Sequence, residues 1–517
     1  VSFAIRQRQG RARSPLFLTL CCLPALSLTC IPLFYVLSRS AEIGWEGSVE
    51  EIFRRRTFDL LVNTLVLGCC VTAGAATVGT SVAWCVEKTE LPARSLWRVI
   101  VSLPLAVPAF ISSYAWSSFD ASLQTMGGAI FILTLSTYPL VYLPVAAAFR
   151  GMDSTYEDVS RSLGKGPWET FFRASLPQVR PALGVGSLLV LTHMFAEFGA
   201  LAFLRVQTFT TAIFDSFELE FDSRSAALQS LVLILLCLPA AYGEMRLRTG
   251  GRTVRSGKGV RRPDAFVRLG WRTVPVQLAL AVLLVFALAV PMAILCYWLS
   301  VGLSAGNGLS DIDDAVYGSL SLAIPGAVIV VVLALPVVLL SSRHTGGVSR
   351  MADRLPYVIH GLPGLVVALA LVFVSIHYAS ALYQTYAVLM AAYAILYLPL
   401  AQSALRSSIA LVPSSLEELA RGLGRGPLSA FMSITLPNIL PGIGAGLALV
   451  ALELMRELTS TLMLAPIGVT TLATEVWSHT NDTEYAAAAP FAAMLVVVSA
   501  VPTYVFTRRG TKGADIE

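Results

Sequence analysis

Long apolar runs separated by short polar stretches set the pattern of this chain, and few of them alternate with the period of a strand. Twelve runs stand out, near residues 15–37, 59–86, 98–116, 127–149, 182–204, 226–243, 273–299, 317–340, 356–377, 385–405, 441–463 and 486–507. A bilayer core of about 30 Å needs ~20 apolar residues per helix, whereas a barrel strand needs about 10 alternating ones. Continuous runs of this kind are helices, which satisfy their own backbone hydrogen bonds in lipid. The pattern therefore predicts an all-α polytopic membrane protein with about twelve transmembrane helices.

The polar interruptions carry a second pattern. SLGKGPWETFFRASLPQVRP at 162–181 returns as GLGRGPLSAFMSITLPNILP at 422–441, an offset of 260 residues. Without gaps, residues 157–183 and 417–443 share ten identities in 27 positions: Glu157, Arg161, Leu163, Gly164, Gly166, Pro167, Phe171, Leu176, Pro177 and Pro181 match their partners. Upstream, YLPVAAAFR (142–150) resembles YLPLAQSALR (397–406). Downstream, Glu197 falls opposite Glu457, and Thr210-Thr211 opposite Thr470-Thr471. In both halves the motif lies between the fourth and fifth predicted spans, so the repeats are parallel rather than inverted. Such repeats imply a pseudo-two-fold axis along the membrane normal, with a pathway most easily built on it. The expected organisation is a six-helix domain over 1–243 with a polar loop at 150–181, a basic linker at 244–272, and a second six-helix domain over 273–517 with its matching loop at 406–441.

Composition agrees with the membrane reading: 56% of positions are hydrophobic and 13% charged, with a mean hydropathy of +0.71. Charge adds an orientation. With the N-terminus inside, 30 of the 37 Lys and Arg residues fall on the cytoplasmic side, which puts both termini in the cytoplasm. The first apolar run, after RQRQGRAR, is too long for a secretory h-region and reads as an uncleaved helix. The nine basic residues of the linker read as a solvated cytoplasmic connection and not as a nucleic-acid site. All eight cysteines lie in predicted spans without a CxxC pair, which points to packing rather than to disulfides or zinc.

Within the repeat, EDVSRSLG and EELARGLG each form about two helical turns, with Glu157/Arg161 and Glu417/Arg421 spaced for same-face pairing. Gly164 and Gly424 suit a helix C-cap. Pro167 and Pro427 open a new helix, and LPQVRP and LPNILP are expected to break it before the next span. The product is a short cytoplasmic helix–turn–helix with an apolar side (Leu163, Trp168, Phe171, Phe172; Leu423, Leu428, Phe431, Met432) free for a partner. One such segment could be an ordinary re-entry loop. Two at matched topology imply two equivalent docking surfaces.

This pattern resembles the EAA motif of ABC importer membrane subunits. The second copy fits with Glu418, Leu419, Ala420, Gly424, Ile434, Leu436 and Pro437; the first is looser, with Asp158, Val159, Ser160, Gly164, Ala174, Leu176 and Pro177. The resemblance implies a type I ABC importer permease fold in a bacterial inner membrane. It also implies two coupling helices, each docking on a separate ABC ATPase subunit, and a solute-binding protein on the outer side. The chain holds no GxxxxGK followed by Ser or Thr, and SGKG at 256–259 is incomplete. It is thus expected to be a transport subunit rather than an enzyme, binding no cofactor itself, with ATP and Mg on its partners. The outer loops near 39–57, 205–225 and 464–485 are the expected contacts of the binding protein.

Fusion of both membrane halves in one chain is similar to the ferric-iron importer permeases, with thiamine permeases as close relatives and phosphonate and polyamine branches further off. AEFGALAFLRVQTFTTAIF (196–214) and RELTSTLMLAPIGVTTLATEVW (456–477) carry the likeness. His193 and Glu197 share a helix face, and Glu453 and Glu457, with Arg456 alongside, take the equivalent positions. Ionisable groups at membrane depth are costly and face a cavity or a partner, so these five residues are candidates to line a cation pathway. The competing reading is a local network of Glu453, Arg456 and Glu457, with His193 an ordinary polar residue. His344, His360, His377 and His479 show no ligand spacing, and no metal site is assigned. A secondary transporter, the alternative from another class, would have no use for two matched docking segments.

Overall fold

The computed structural model describes residues 16–152, 155–250, 266–304, 312–344, 346–360 and 362–515. The first half runs α1 (Leu16–Ile52), α2 (Arg55–Lys88), α3 (Arg94–Ile100), α4 (Ala109–Phe119), α5 (Met126–Gly151), α6 (Thr155–Ser162), α7 (Pro167–Thr170), α8 (Leu176–Ala196), α9 (Gly199–Phe203), α10 (Phe209–Glu218) and α11 (Ser223–Gly250). The second runs α12 (Thr273–Leu284), α13 (Val290–Ser304), α14 (Ile312–Arg343), α15 (Gly347–His360), α16 (Gly364–Tyr378), α17 (Tyr386–Ile409), α18 (Ser414–Gly422), α19 (Pro427–Ala430), α20 (Leu436–Arg456), α21 (Thr459–Leu464), α22 (Leu472–Asn481) and α23 (Tyr485–Asp515). From α2 to α11 and from α14 to α23 the helices follow the same order, so the internal repeat is structural as well as sequential. Most of the linker, 251–265, lies outside the described residues, and with it SGKG.

Each of the twelve predicted segments is helical, but not every one is a straight span. Among the described residues nine helices are long and apolar enough to cross a membrane, and residues 94–106 with 109–119 form a tenth that is bent by 79°. Gly364–Tyr378 and Tyr485–Ala500 are apolar but shorter. The bend replaces the straight helix expected at 98–116, and proline is its cause. Pro108 has no N–H to donate and its ring drives Val107 into an extended conformation (φ −91°, ψ 116°). In the second half Pro363 likewise opens α16 after a separate α15. The spans expected at 182–204 and 441–463 are shifted: continuous helix runs from Pro167 to Ala196 and from Pro427 to Arg456.

The expected break at the LPQVRP and LPNILP sequences is therefore absent. A π-turn stands there instead, at Phe171–Ser175 and at Phe431–Thr435. Pro177 and Pro437 would clash with the carbonyl four residues back in a regular helix. Widening that one turn to i→i+5 makes room for the ring and lets the helix continue.

Two compact units make up the chain, and they do not follow the halves of the sequence. One contains the residues through Ser38 together with 317–469; the other contains 39–316 and the residues from Thr470 onward. In the first, Tyr35 of α1 is buried with its ring 5.3 Å from that of Phe373 in α16. In the other, Trp298 Nε1 of α13 donates to Ser118 Oγ at 2.9 Å, and Tyr114 Oη donates to the Tyr485 carbonyl at 2.6 Å. Trp477 of α22 packs there against Phe198, Phe203 and Phe214. Helices that are apolar all round can be buried against any apolar neighbour, and α1, α13 and α23 use that freedom.

The core of the latter unit is α5 packed against α2 and α8, brought close by glycine. A Cβ at Gly79 would lie 2.8 Å from the Tyr138 carbonyl oxygen, and one at Gly186 would lie 2.9 Å from Val141 Cα. Small residues at such contacts let backbones approach and replace the hydrophobic drive that lipid does not supply. Gly79→Leu should thus lower the melting temperature and the yield of detergent-purified protein, since overpacking costs about 1–3 kcal/mol. Gly127→Leu, where a Cβ meets nothing within 4 Å, should match the wild type.

Candidate coupling site

The two repeated segments fold alike down to single hydrogen bonds. In the first, α6 ends on Gly164 at φ +78°, whose N–H donates to the Arg161 carbonyl at 2.9 Å while that of Lys165 donates to Ser160 at 3.2 Å. In the second, α18 ends on Gly424 at φ +85°, and the N–H groups of Gly424 and Arg425 donate to Arg421 and Ala420 at 3.0 and 3.1 Å. Both are Schellman caps, which need a left-handed residue at this position. Pro167 and Pro427 then occupy the first turn of α7 and α19, where a missing N–H costs nothing.

One side of each segment is solvent-facing and apolar. Tyr156, Val159, Leu163, Trp168 and Phe172 are exposed in the first copy, and Leu416, Leu419, Leu423, Leu428 and Met432 in the second. Asp158 and Glu418 are exposed on the same turns, Ala420 is buried, and Leu176, Pro177 and Leu436 are half-buried where the span begins, with Pro437 exposed beside them. Phe171 is half-buried instead, edge-on to Trp84 of α2 at 5.8 Å, and Phe431 is half-buried too.

The opposite side is an anchor built on the repeated glutamate. Glu157 Oε1 accepts from Ser175 Oγ at 2.6 Å, and its Oε2 lies 3.5 Å from Lys88 Nζ at the end of α2, the two side chains only 6% and 4% exposed. Glu417 Oε1 accepts from Thr435 Oγ1 at 2.5 Å and from Arg343 Nη2 at 3.2 Å, at the end of α14. Each copy thus uses a carboxylate, a hydroxyl eighteen residues on, and a cation from the last turn of an earlier long helix, α2 or α14. The expected same-face pair forms in one copy: Arg421 lies 3.5 Å from Glu417 and is exposed. In the other, Glu157 turns to Lys88, and no ion pair joins it to Arg161 among the described residues. Burial holds His344 below the usual histidine range, Arg421 adding to the effect and Glu417 opposing it, so it is neutral at pH 7 and leaves the anchor charge unaltered.

Beside Lys88 stands a second cluster. The carboxylate of Glu87, fully buried, is held by Arg94 at 3.0 Å, Arg98 at 2.8 Å and Arg150 at 2.7 Å. The corresponding place in the other copy has the pair Arg406–Asp353. The hydropathy pattern did not single out Lys88, Arg343, Ser175 or Thr435. A signal was available: a basic residue closes both long helices, and Ser175 stands opposite Thr435 in the repeat.

Glu197 and Glu457 end α8 and α20 rather than lying along them. Glu197 is extended (ψ 128°), and its Oε1 accepts from the Ala200 N–H at 3.0 Å, capping α9. Glu457 does the same for α21, accepting from Ser460 N at 2.9 Å and Ser460 Oγ at 2.7 Å while Tyr397 Oη donates to its Oε2 at 2.6 Å. His193 Nε2 stands 3.6 Å from Glu197, with the imidazole half-exposed. Glu453 and Arg456 are partly buried on the last turn of α20. Among the described residues no group of three or more His, Cys, Asp or Glu is placed to hold a metal ion.

Comparison with known proteins bears on these features. The family model described as binding-protein-dependent transport system inner membrane component matches twice, at residues 75–242 and 338–508, once in each half. The chain is 42% identical over 503 residues to an Fe(3+)-transport system permease protein of Haemophilus influenzae, covering 97% of this chain and 99% of that one. It is also 24% identical to a sulfate transport system permease protein of Escherichia coli, over 43% of this chain and 89% of the relative. A molybdenum transport system permease protein of Azotobacter vinelandii is 25% identical, over 36% of this chain and 93% of its own.

Proposed function

Because the chain belongs to the family of binding-protein-dependent transport system inner membrane components, and is a membrane-spanning permease subunit, we propose that it imports ferric iron and is driven by two ABC ATPase subunits bound at its two Gly-capped segments. The observation that carries this is the matched anchor: each segment is fixed by its buried face, through Glu157 or Glu417, and leaves an apolar face to solvent. Motion imposed on that face by an ATPase is passed to α8 or α20, because the second helix of each segment, from Pro167 or Pro427, continues into the span without a break.

Iron as cargo is favoured over sulfate or molybdenum by the extent of likeness, since the Fe(3+) relative matches nearly the whole chain and the other two match less than half of it. The basic residues support both termini on the cytoplasmic side of a bacterial inner membrane. On the outer side a solute-binding protein delivers the ion to the segments near 39–57, 205–225 and 464–485, which were expected as loops but hold the end of α1, α10 and α22. Thiamine, phosphonate or polyamine transport would appear as a different ligand copurifying with that binding protein, and a secondary transporter as uptake that follows an ion gradient instead of ATP.

Glu197 and Glu457, with His193, Glu453 and Arg456, form the intramembrane part of the proposal. The two carboxylates cap short helices and offer oxygen ligands suited to a hard cation. Radiolabelled iron uptake by Glu197→Gln and Glu457→Gln, with the ATPase subunits present, should fall roughly tenfold, the equivalent of one charge-assisted contact. Wild-type uptake by both variants would reduce the carboxylates to helix caps.

A further inference from the structure

The last four carbonyls of a helix have no partner within it and must find one elsewhere. At the end of α2 all four do. The Cys85 carbonyl accepts from Thr89 Oγ1 at 2.5 Å, that of Val86 from Arg94 Nε at 2.6 Å, and that of Glu87 from Arg94 Nη2. The fourth, on Lys88, accepts from the Val267 N–H at 2.9 Å. Val267 belongs to the segment joining the two halves, far along the chain. Its own carbonyl accepts from Glu90 N–H at 3.1 Å, so the two strands form a parallel bridge around the buried Thr89. The neighbours of Val267 add to the hold: the Arg94 guanidinium lies 4.3 Å over the Phe266 ring, and Arg268 is 3.6 Å from Glu90.

Lys88 is the residue whose ammonium group anchors Glu157 of the first segment. The second anchor is finished locally, Leu340 accepting from His344 N–H and Ser349 Oγ just beyond Arg343. Among the described residues no second isolated bridge accompanies it.

We propose that residues 266–268, at the end of the interdomain linker, are a clamp that positions Lys88 and through it the first coupling segment. The connection between the halves is then a working part of one coupling site and not a tether alone. This rests on the coupling reading above. Val267 acts here as a positioning residue through its backbone, so the substitution that matters removes the N–H and not the side chain.

The test measures iron uptake per ATP hydrolysed in proteoliposomes holding the full chain with its ATPase subunits. Val267→Pro should lower that ratio about fivefold, the scale of one net hydrogen bond, while Val267→Ala, which keeps both backbone bonds, matches the wild type. If the clamp acts through Lys88, Val267→Pro combined with Lys88→Met should be no worse than Lys88→Met alone. Equal ratios for Val267→Pro and Val267→Ala, or losses that multiply in the double variant, would overturn the proposal. Should Val267→Pro fail to accumulate, the pair Phe266→Ala and Arg268→Ser is read on the same scale, a wild-type ratio counting against the clamp and a loss in its favour. A wild-type complex without ATP-dependent uptake would strike the coupling reading itself; an intact wild type beside an unaffected Val267→Pro strikes only the clamp.

Discussion

Gly424→Val is expected to abolish ATP-driven uptake and to loosen the proposed ATPase subunit from the second segment, while Gly424→Asn should retain most of both. The reason lies in the backbone and not in space. A Cβ at Gly424 meets nothing within 4 Å, so a larger side chain fits sterically outside its own residue. What it cannot do at low cost is hold φ +85°. Left-handed backbone costs roughly 1–2 kcal/mol for an L-residue and more for a β-branched one, whereas Asn visits that region readily. Relaxing the strain undoes the Schellman cap, and α18 then loses its fixed direction into Pro427. Copurification of the ATPase subunit with each variant, beside uptake, checks this; normal assembly by Gly424→Val would contradict it. Gly164, at φ +78° with equally open surroundings, should behave in the same way.

Lys88→Met is expected to destabilise the protein more than any exposed charge change. It leaves the Glu157 carboxylate buried without its cation, and removing one partner of a buried ion pair costs about 3–5 kcal/mol. The double variant Lys88→Met/Glu157→Gln should recover much of the loss, because Gln still accepts from Ser175 and no uncompensated charge remains. Arg421→Ala, at an exposed pair on Glu417, should cost at most about 1 kcal/mol. Thermal unfolding of the three purified proteins ranks them. A double variant no better than Lys88→Met would show that Lys88 acts by packing and not by charge.

Much of this was legible in the sequence, and the exceptions have physical causes. The duplication, the glycine caps and an exposed apolar face on each segment follow from local rules, and the structure carries them in both copies. The anchors were not legible: Lys88 and Arg343 lie far from Glu157 and Glu417 along the chain, and only tertiary packing brings them together. Pro177 and Pro437 suggested broken helices because a rule for regular α-helix does not foresee a π-turn. Glu197 and Glu457 were expected along a span. Each carboxylate instead caps the next helix through a backbone N–H, and hydropathy does not register that competition. Nor does it register why the part of α1 through Ser38 packs in the unit that holds 317–469, since a helix apolar on all sides fits many neighbours.

The two π-turns have a mechanical consequence. Each leaves an unbroken rod of thirty residues, from Pro167 to Ala196 and from Pro427 to Arg456, which at 1.5 Å per residue is about 45 Å long. Tilting such a rod by about 10° about its Pro167 or Pro427 end swings the opposite end through roughly 8 Å, several ionic radii. Glu197 and Glu457 directly follow those far ends. A hinge at the LPQVRP or LPNILP sequence would have absorbed the same tilt within a turn or two and left the far end where it was.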